Sequence, residues 1–135
     1  GYFNAPGNGN GNSIWVSGNT GYMTAGNILY NFDLTSKSGS RSAIDSNGVT
    51  LAGTGNRIYV VGSYVYVATS SSSNQLQIID ASNPNSLSVV GDLSSGLNDQ
   101  GAKDVFVNDQ GTRAYVVTAA SSSGTARRSP AHCGS

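Results

Sequence analysis

Aliphatic and aromatic residues along this chain come in short alternating runs, and three of those runs share one layout. Ser13 to Ala25 reads SIWVSGNTGYMTA, Arg57 to Thr69 reads RIYVVGSYVYVAT, and Asp104 to Thr118 reads DVFVNDQGTRAYVVT. In each, an aliphatic residue, an aromatic residue and Val (Ile14, Trp15, Val16; Ile58, Tyr59, Val60; Val105, Phe106, Val107) lead into a turn. A second run follows, centred on Tyr22, Tyr66 and Tyr115. Period-two alternation of β-branched and aromatic residues is a strand signal, and Gly or Asn between the runs supplies the positive φ of a tight turn. Each unit is therefore predicted to be a β-hairpin.

The units recur. Ile14 and Ile58 stand 44 positions apart, and Ile58 and Val105 stand 47 apart, a period within or close to that of four-stranded propeller blades. A third strand is predicted over Ile28 to Leu34 and again over Leu76 to Ala81, with Asp33 and Asp80 at the same place near its end, before Thr or Ser. A fourth is predicted over Val49 to Ala52 and Leu87 to Leu93, and in weaker form over Tyr2 to Ala5. Residues 1–11 then form the last strand of a preceding blade with an Asn/Gly loop. Residues 12–55 are a first blade, 56–100 a second, 101–121 the first hairpin of a third, and 122–135 a tail outside the repeat. The predicted fold class is all-β, built of antiparallel four-stranded β-propeller-like blades. The propeller is incomplete, because closure takes roughly four to eight blades.

Composition narrows the function classes. With 18 Gly, many Ser, Thr and Asn, no Glu and only 10% charged residues, the chain is rich in turn formers and poor in residues that support helices. Seven basic and seven acidic side chains cancel, so no broad positive field is available for phosphates, and no nucleic-acid partner is expected. No apolar run approaches the roughly 20 residues that span a bilayer, and the start of the chain lacks the basic and apolar segments of a signal peptide. The chain is expected to be soluble, without a membrane span. The single Cys133 can make no internal disulfide. Low charge with abundant small polar residues suits an extracellular or cell-surface protein.

The stretch YVYVATSSSSNQLQIIDASNPNSLSVVGDL, from Tyr64 to Leu93, resembles the repeat of the LVIVD-type bacterial and archaeal β-propellers. In that repeat a YVA strand leads into an I-I-D strand and an S-N-P turn. Ile78, Ile79, Asp80, Ser82, Asn83 and Pro84 carry the likeness. The first unit departs from it, with Phe32-Asp33-Leu34-Thr35-Ser36 at that place and no Asn-Pro, and the third ends before that strand. The resemblance, over residues 12 to about 121, implies a propeller-type fold and a place in exported surface proteins. It brings no catalytic residue set.

Candidate chemistry is sparse. Trp15, Tyr22, Tyr30 and Tyr64 are candidate ligand contacts, because aromatic faces among Asn and Ser suit stacking on sugar CH groups. Trp15, Tyr59 and Phe106 are equivalent repeat positions, however, and packing between blades is the preferred reading of them. Asp33, Asp80, Asn83 and Pro84 are read as structural turn residues, the carboxylates accepting backbone N–H bonds. Asp104 and Asp109 make no acid–base pair by spacing, and no Ser sits in a nucleophile elbow. The GNGNGNS loop of residues 7–13 lacks the clustered carboxylates of a calcium site. His132 beside Cys133 lacks the further ligands of a zinc site, and Arg127-Arg128 reads as solvated tail. No metal, no cofactor and no enzymatic activity are expected. The expected function is a structural or interaction module that self-assembles through blade edges, as an oligomer or filament, or pairs with missing blades of a parent protein. The alternative is a lectin-like module for a glycan or protein.

Overall fold

The computed structural model describes residues 2–3, 5–6, 9–36, 38–94, 101–119 and 124–130, and every regular element among them is a strand. In chain order these are β1 (Tyr2–Phe3), β2 (Gly11–Ser17), β3 (Thr20–Ala25), β4 (Ile28–Asp33), β5 (Ser40–Arg41) and β6 (Val49–Thr50). They continue as β7 (Gly55–Val61), β8 (Tyr64–Thr69), β9 (Leu76–Asp80), β10 (Ser88–Leu93), β11 (Ala102–Val107), β12 (Arg113–Ala119) and β13 (Gly124–Pro130). Three antiparallel meanders result, ordered β2-β3-β4-β6, β7-β8-β9-β10 and β11-β12-β13, with β1 and β5 as a separate parallel pair.

The hairpins are superimposable in register. Trp15 lies opposite Tyr22, Tyr59 opposite Tyr66, and Phe106 opposite Tyr115. Each first strand also carries a register shift at the same place, leaving Asn12, Asn56 and Lys103 as the extra residue. The first two hairpins close on two residues, Gly18-Asn19 and Gly62-Ser63, with Gly18 at φ 59° and Gly62 at φ 60°. The longer third turn is organised by Asn108, whose Oδ1 accepts the backbone N–H of Thr112 at 2.8 Å and of Arg113 at 2.9 Å.

The sheets stack face to face, and the middle one is covered on both sides. Val65 and Val67 of β8 pack with Tyr22, Leu29 and Leu51 of the first sheet, while Tyr66 and Ala68 pack with Val105, Val107, Ala114 and Val116 of the third. A strand buried on both faces needs no polar side, which is why YVYVA breaks the polar alternation. Side chains of this size contribute roughly 1.5–3 kcal/mol each on full burial, so the two junctions between sheets are the stabilising core.

Two expectations change. Residues 122–135 are a tail by composition, yet Gly124–Pro130 form β13, paired with β12 from Arg113↔Pro130 to Ala119↔Gly124. The third unit is thus a three-stranded sheet, and Arg127-Arg128 lies in a strand. Ladder hydrogen bonds use backbone alone, so a segment lacking the repeat's side chains still completes the sheet. His132 and Cys133 lie outside the described residues. At the other end, β1 does not edge a preceding blade. It pairs with β5 in the segment leading from β4 to β6, where Tyr2 N donates to Gly39 O at 3.1 Å.

That segment returns across the outer face of the first sheet. Ile44 N donates to Asn31 O at 2.8 Å, and Phe32 and Ala43 form a bridge. Leu34 lies over Gly21, where a Cβ would stand 3.0 Å from Leu34 Cδ1. The register places Val65 and Ala114 at the positions corresponding to Gly21, so the missing side chain is what makes room. Ala25, Tyr30 and Phe32 are buried beneath this cap.

Candidate interaction surface

The first strands of the three sheets, β2, β7 and β11, run side by side without a hydrogen-bonded ladder. Side chains join them instead. Ser13 Oγ accepts from Ile58 N at 3.2 Å, Asn56 Nδ2 donates to Ala102 O at 2.8 Å, and Arg57 Nε pairs with Asp104 Oδ1 at 3.2 Å. Across the same strands runs an aromatic row. Trp15 and Tyr59 centroids are 4.7 Å apart, Tyr59 and Phe106 5.1 Å, and Phe106 and Tyr115 6.4 Å. These spacings are those of offset and edge-to-face ring pairs. The row floors an open groove of about 590 Å³ whose polar members include Arg57 and Asp104.

The predicted contact residues do not converge. Trp15 is half-buried in the row, but Tyr22 and Tyr30 are only 7% and 4% exposed and cannot meet a ligand. Tyr22 faces the second sheet, Tyr30 lies under the cap, and Tyr64 flanks the junction with the third sheet. Burial pushes the Tyr22 phenol above its ordinary pKa. The correction has a simple cause: at the centre of a strand that stacks on a neighbouring sheet, a tyrosine is core. Trp15, Tyr59 and Phe106, read as packing between blades, do touch across successive sheets, and the same row is partly open to solvent. Asn12 and Ser13 of the Asn/Gly loop lie in β2 itself.

The turn residues stand at strand ends. Asp33 Oδ1 accepts the Thr35 hydroxyl and, at 2.9 Å, the Thr35 N–H; Asp80 Oδ1 accepts the Ser82 N–H at 2.8 Å. The Thr35 hydroxyl and N–H, with a smaller pull from Arg41, hold Asp33 below the usual carboxylate range, and the Ser82 hydroxyl and N–H do the same for Asp80. Asn83 Oδ1 accepts Asn85 N at 3.1 Å, and Pro84 O takes the buried Asn31 side chain of the first sheet at 2.8 Å. The Ser-Asn-Pro turn thereby pins one sheet to the next. Among the described residues no three His, Cys, Asp or Glu side chains cluster as metal ligands.

Exposure along the repeat is uneven at the two ends of the stack. Phe106, Tyr115 and Val117 are 52%, 41% and 41% exposed, although Tyr66 at the register of Tyr115 is buried by the third sheet. At the first sheet, Ile14 and Val16 are 58% and 56% exposed, although their counterparts Ile58, Val60, Val105 and Val107 are core. The signal was in the repeat: positions that face a neighbouring sheet in the middle unit face none among the described residues at the first and third.

No curated protein matches the chain. Residues 52–94, which contain β7 to β10 entire, match the family model of the LVIVD repeat. The second meander, the Asp80 turn and the Asn83-Pro84 corner fall within that match, so the likeness to the LVIVD repeat lies in the second sheet.

Proposed function

We propose that this chain is a non-catalytic interaction module that associates with copies of itself through the faces of its blades. The observation that supports this is the register-matched exposure of Phe106, Tyr115 and Val117: the same positions in the first two sheets are covered by a following sheet. An apolar face with a built template for its cover is a docking surface by the rule that contiguous exposed apolar patches mark interaction sites. Faces suit this role better than edges. The edge strand β10 is kinked by a bulge around Val90, and β6 has two residues, both of which discourage edge-to-edge pairing. The low charge and small polar surface residues fit an extracellular or cell-surface setting.

Sedimentation velocity at micromolar concentration tests this reading. A species heavier than the 13.8 kDa chain is expected, and a monomer at every concentration overturns it. A second reading, a glycan-binding module, draws on the aromatic row with Arg57 and Asp104 beside it. It predicts retention on a glycan array that is lost in Tyr59→Ala, and both readings use Phe106 and Tyr115, so glycan would compete with association.

A further inference from the structure

The cap over the first sheet fills a seat that side chains of a neighbouring sheet fill elsewhere. In the second sheet Val65 and Ile79 lie opposite each other and are covered by Tyr22, Leu29 and Leu51 of the first. The same register of the first sheet sets Gly21 opposite Phe32. There Leu34 lies over Gly21 and Ala43 bridges to Phe32, so a single returning segment buries Tyr30 and Phe32.

This segment is braced against itself more than against the sheet. The Arg41 guanidinium donates to the carbonyls of Ser36, Ser38 and Ser40, all within the cap. Its outer strand β5 pairs with β1, also outside the sheet. Among the described residues, the grip of its returning half on the sheet comes from Ala43, from Ile44 N donating to Asn31 O at 2.8 Å, and from Asp45 N at 3.4 Å from Asn31 Oδ1. Ser38, Gly39, Ser40 and Ser42 are exposed. The ends, by contrast, are fixed. Leu34 N donates to Asn19 O at 2.6 Å, and Gly48 N donates to Asp45 O at 3.1 Å, where Leu29 O leaves no room for a Cβ at Gly48. Few buried apolar contacts between two anchored ends describe a unit that opens locally, ahead of the core.

We infer that the cap is a hinged lid standing in for a neighbouring sheet: it lifts as one piece between its anchored ends, and while down it closes the outer face of β3 and β4 to stacking. The lifting is independent of the self-association reading above; its consequence, a face opened to a partner sheet, rests on that reading.

Amide hydrogen exchange on the 135-residue chain tests the lid directly. In the parent, Ile44 should exchange faster than the amides of β8, which is covered on both faces. Ala43→Asp, at a half-buried position against Phe32, should speed Ile44 by on the order of tenfold or more and leave β8 unchanged. It should also raise the binding of an apolar dye as Tyr30 and Phe32 are uncovered. Arg41→Ala, which removes the brace without touching the sheet, should speed Ile44 in the same way. Ile44 exchanging at the β8 rate in the parent, or β8 accelerating together with Ile44 in both variants, overturns the lid, because the segment then opens only with the whole fold. Ile44 exchange unchanged in both variants overturns it as well. Sedimentation reads the consequence: with the lid shown open by exchange, Ala43→Asp should form more of the heavier species than the parent at equal concentration. An open lid with no gain in mass overturns the closing role. A monomer in parent and variants overturns the self-association reading, while exchange still decides the lid.

Discussion

Thr24 and Gly55 interlock across the first junction: the Thr24 hydroxyl donates to Gly55 O at 2.8 Å, and its methyl carbon crowds the place where a Gly55 Cβ would stand. Gly55→Ala should therefore overpack a buried site and lower stability by roughly 1–3 kcal/mol. Thr24→Ala should restore part of the loss in the double variant, because the two residues share one volume. Denaturant unfolding of the four-member cycle measures the coupling, and strict additivity would contradict the interlock.

Asn31 ties the first sheet to the Pro84 carbonyl of the second from a buried position. Asn31→Leu should strand that carbonyl and the Asp45 N–H that reaches Asn31 Oδ1 at 3.4 Å. A loss of about 1–3 kcal/mol is expected, the desolvation penalty of unpaired polar groups, read as a fall in the unfolding midpoint. An unchanged midpoint would mean that water replaces the amide.

Acid should weaken the fold through its turns. Asp33 and Asp80 have folded pKa values below their unfolded ones, so their contribution is present above the unfolded carboxylate pKa, about 3.9. It is lost as pH falls through the lower folded value. The thermal midpoint should be flat near neutrality and drop on the acid side, and Asp33→Asn with Asp80→Asn should make that drop shallower. Superimposed profiles for parent and double variant would rule the turns out as the cause.

Trp15, the single tryptophan, reports on the aromatic row. Tyr59→Ala should shift its emission to the red and lower stability by about 1 kcal/mol from the ring pairing alone, with the third sheet loosened as Phe106 loses its neighbour. Emission that stays fixed would place Trp15 outside the influence of its 4.7 Å partner.

The hairpins were legible in the sequence because their information is local: Trp15-Val16, a Gly-Asn turn and Tyr22 specify strand, reversal and strand without help from elsewhere. The register of Tyr59 on Tyr66 follows from a two-residue turn and could be read directly. What each aromatic does could not, because its fate depends on a sheet about 44 residues away. Tyr22 is core only because β7 arrives over it, and Tyr115 is surface because nothing among the described residues does. β13 escaped notice for a different reason. Its pairing is carried by backbone, which composition does not report, and GTARRSP offers no alternation to betray a strand.

The absence of a side chain at Gly21 separates two kinds of unit in this chain. Copying residues 52–94 would insert a sheet with Val65 at that place, leaving no seat for a Leu34-like lid. A second copy of the well-matched repeat can therefore lengthen the array but cannot reproduce this covered face. Of the three sheets, the first is the one partly covered by the segment between β4 and β6, and the bare Gly21 is what admits Leu34 there.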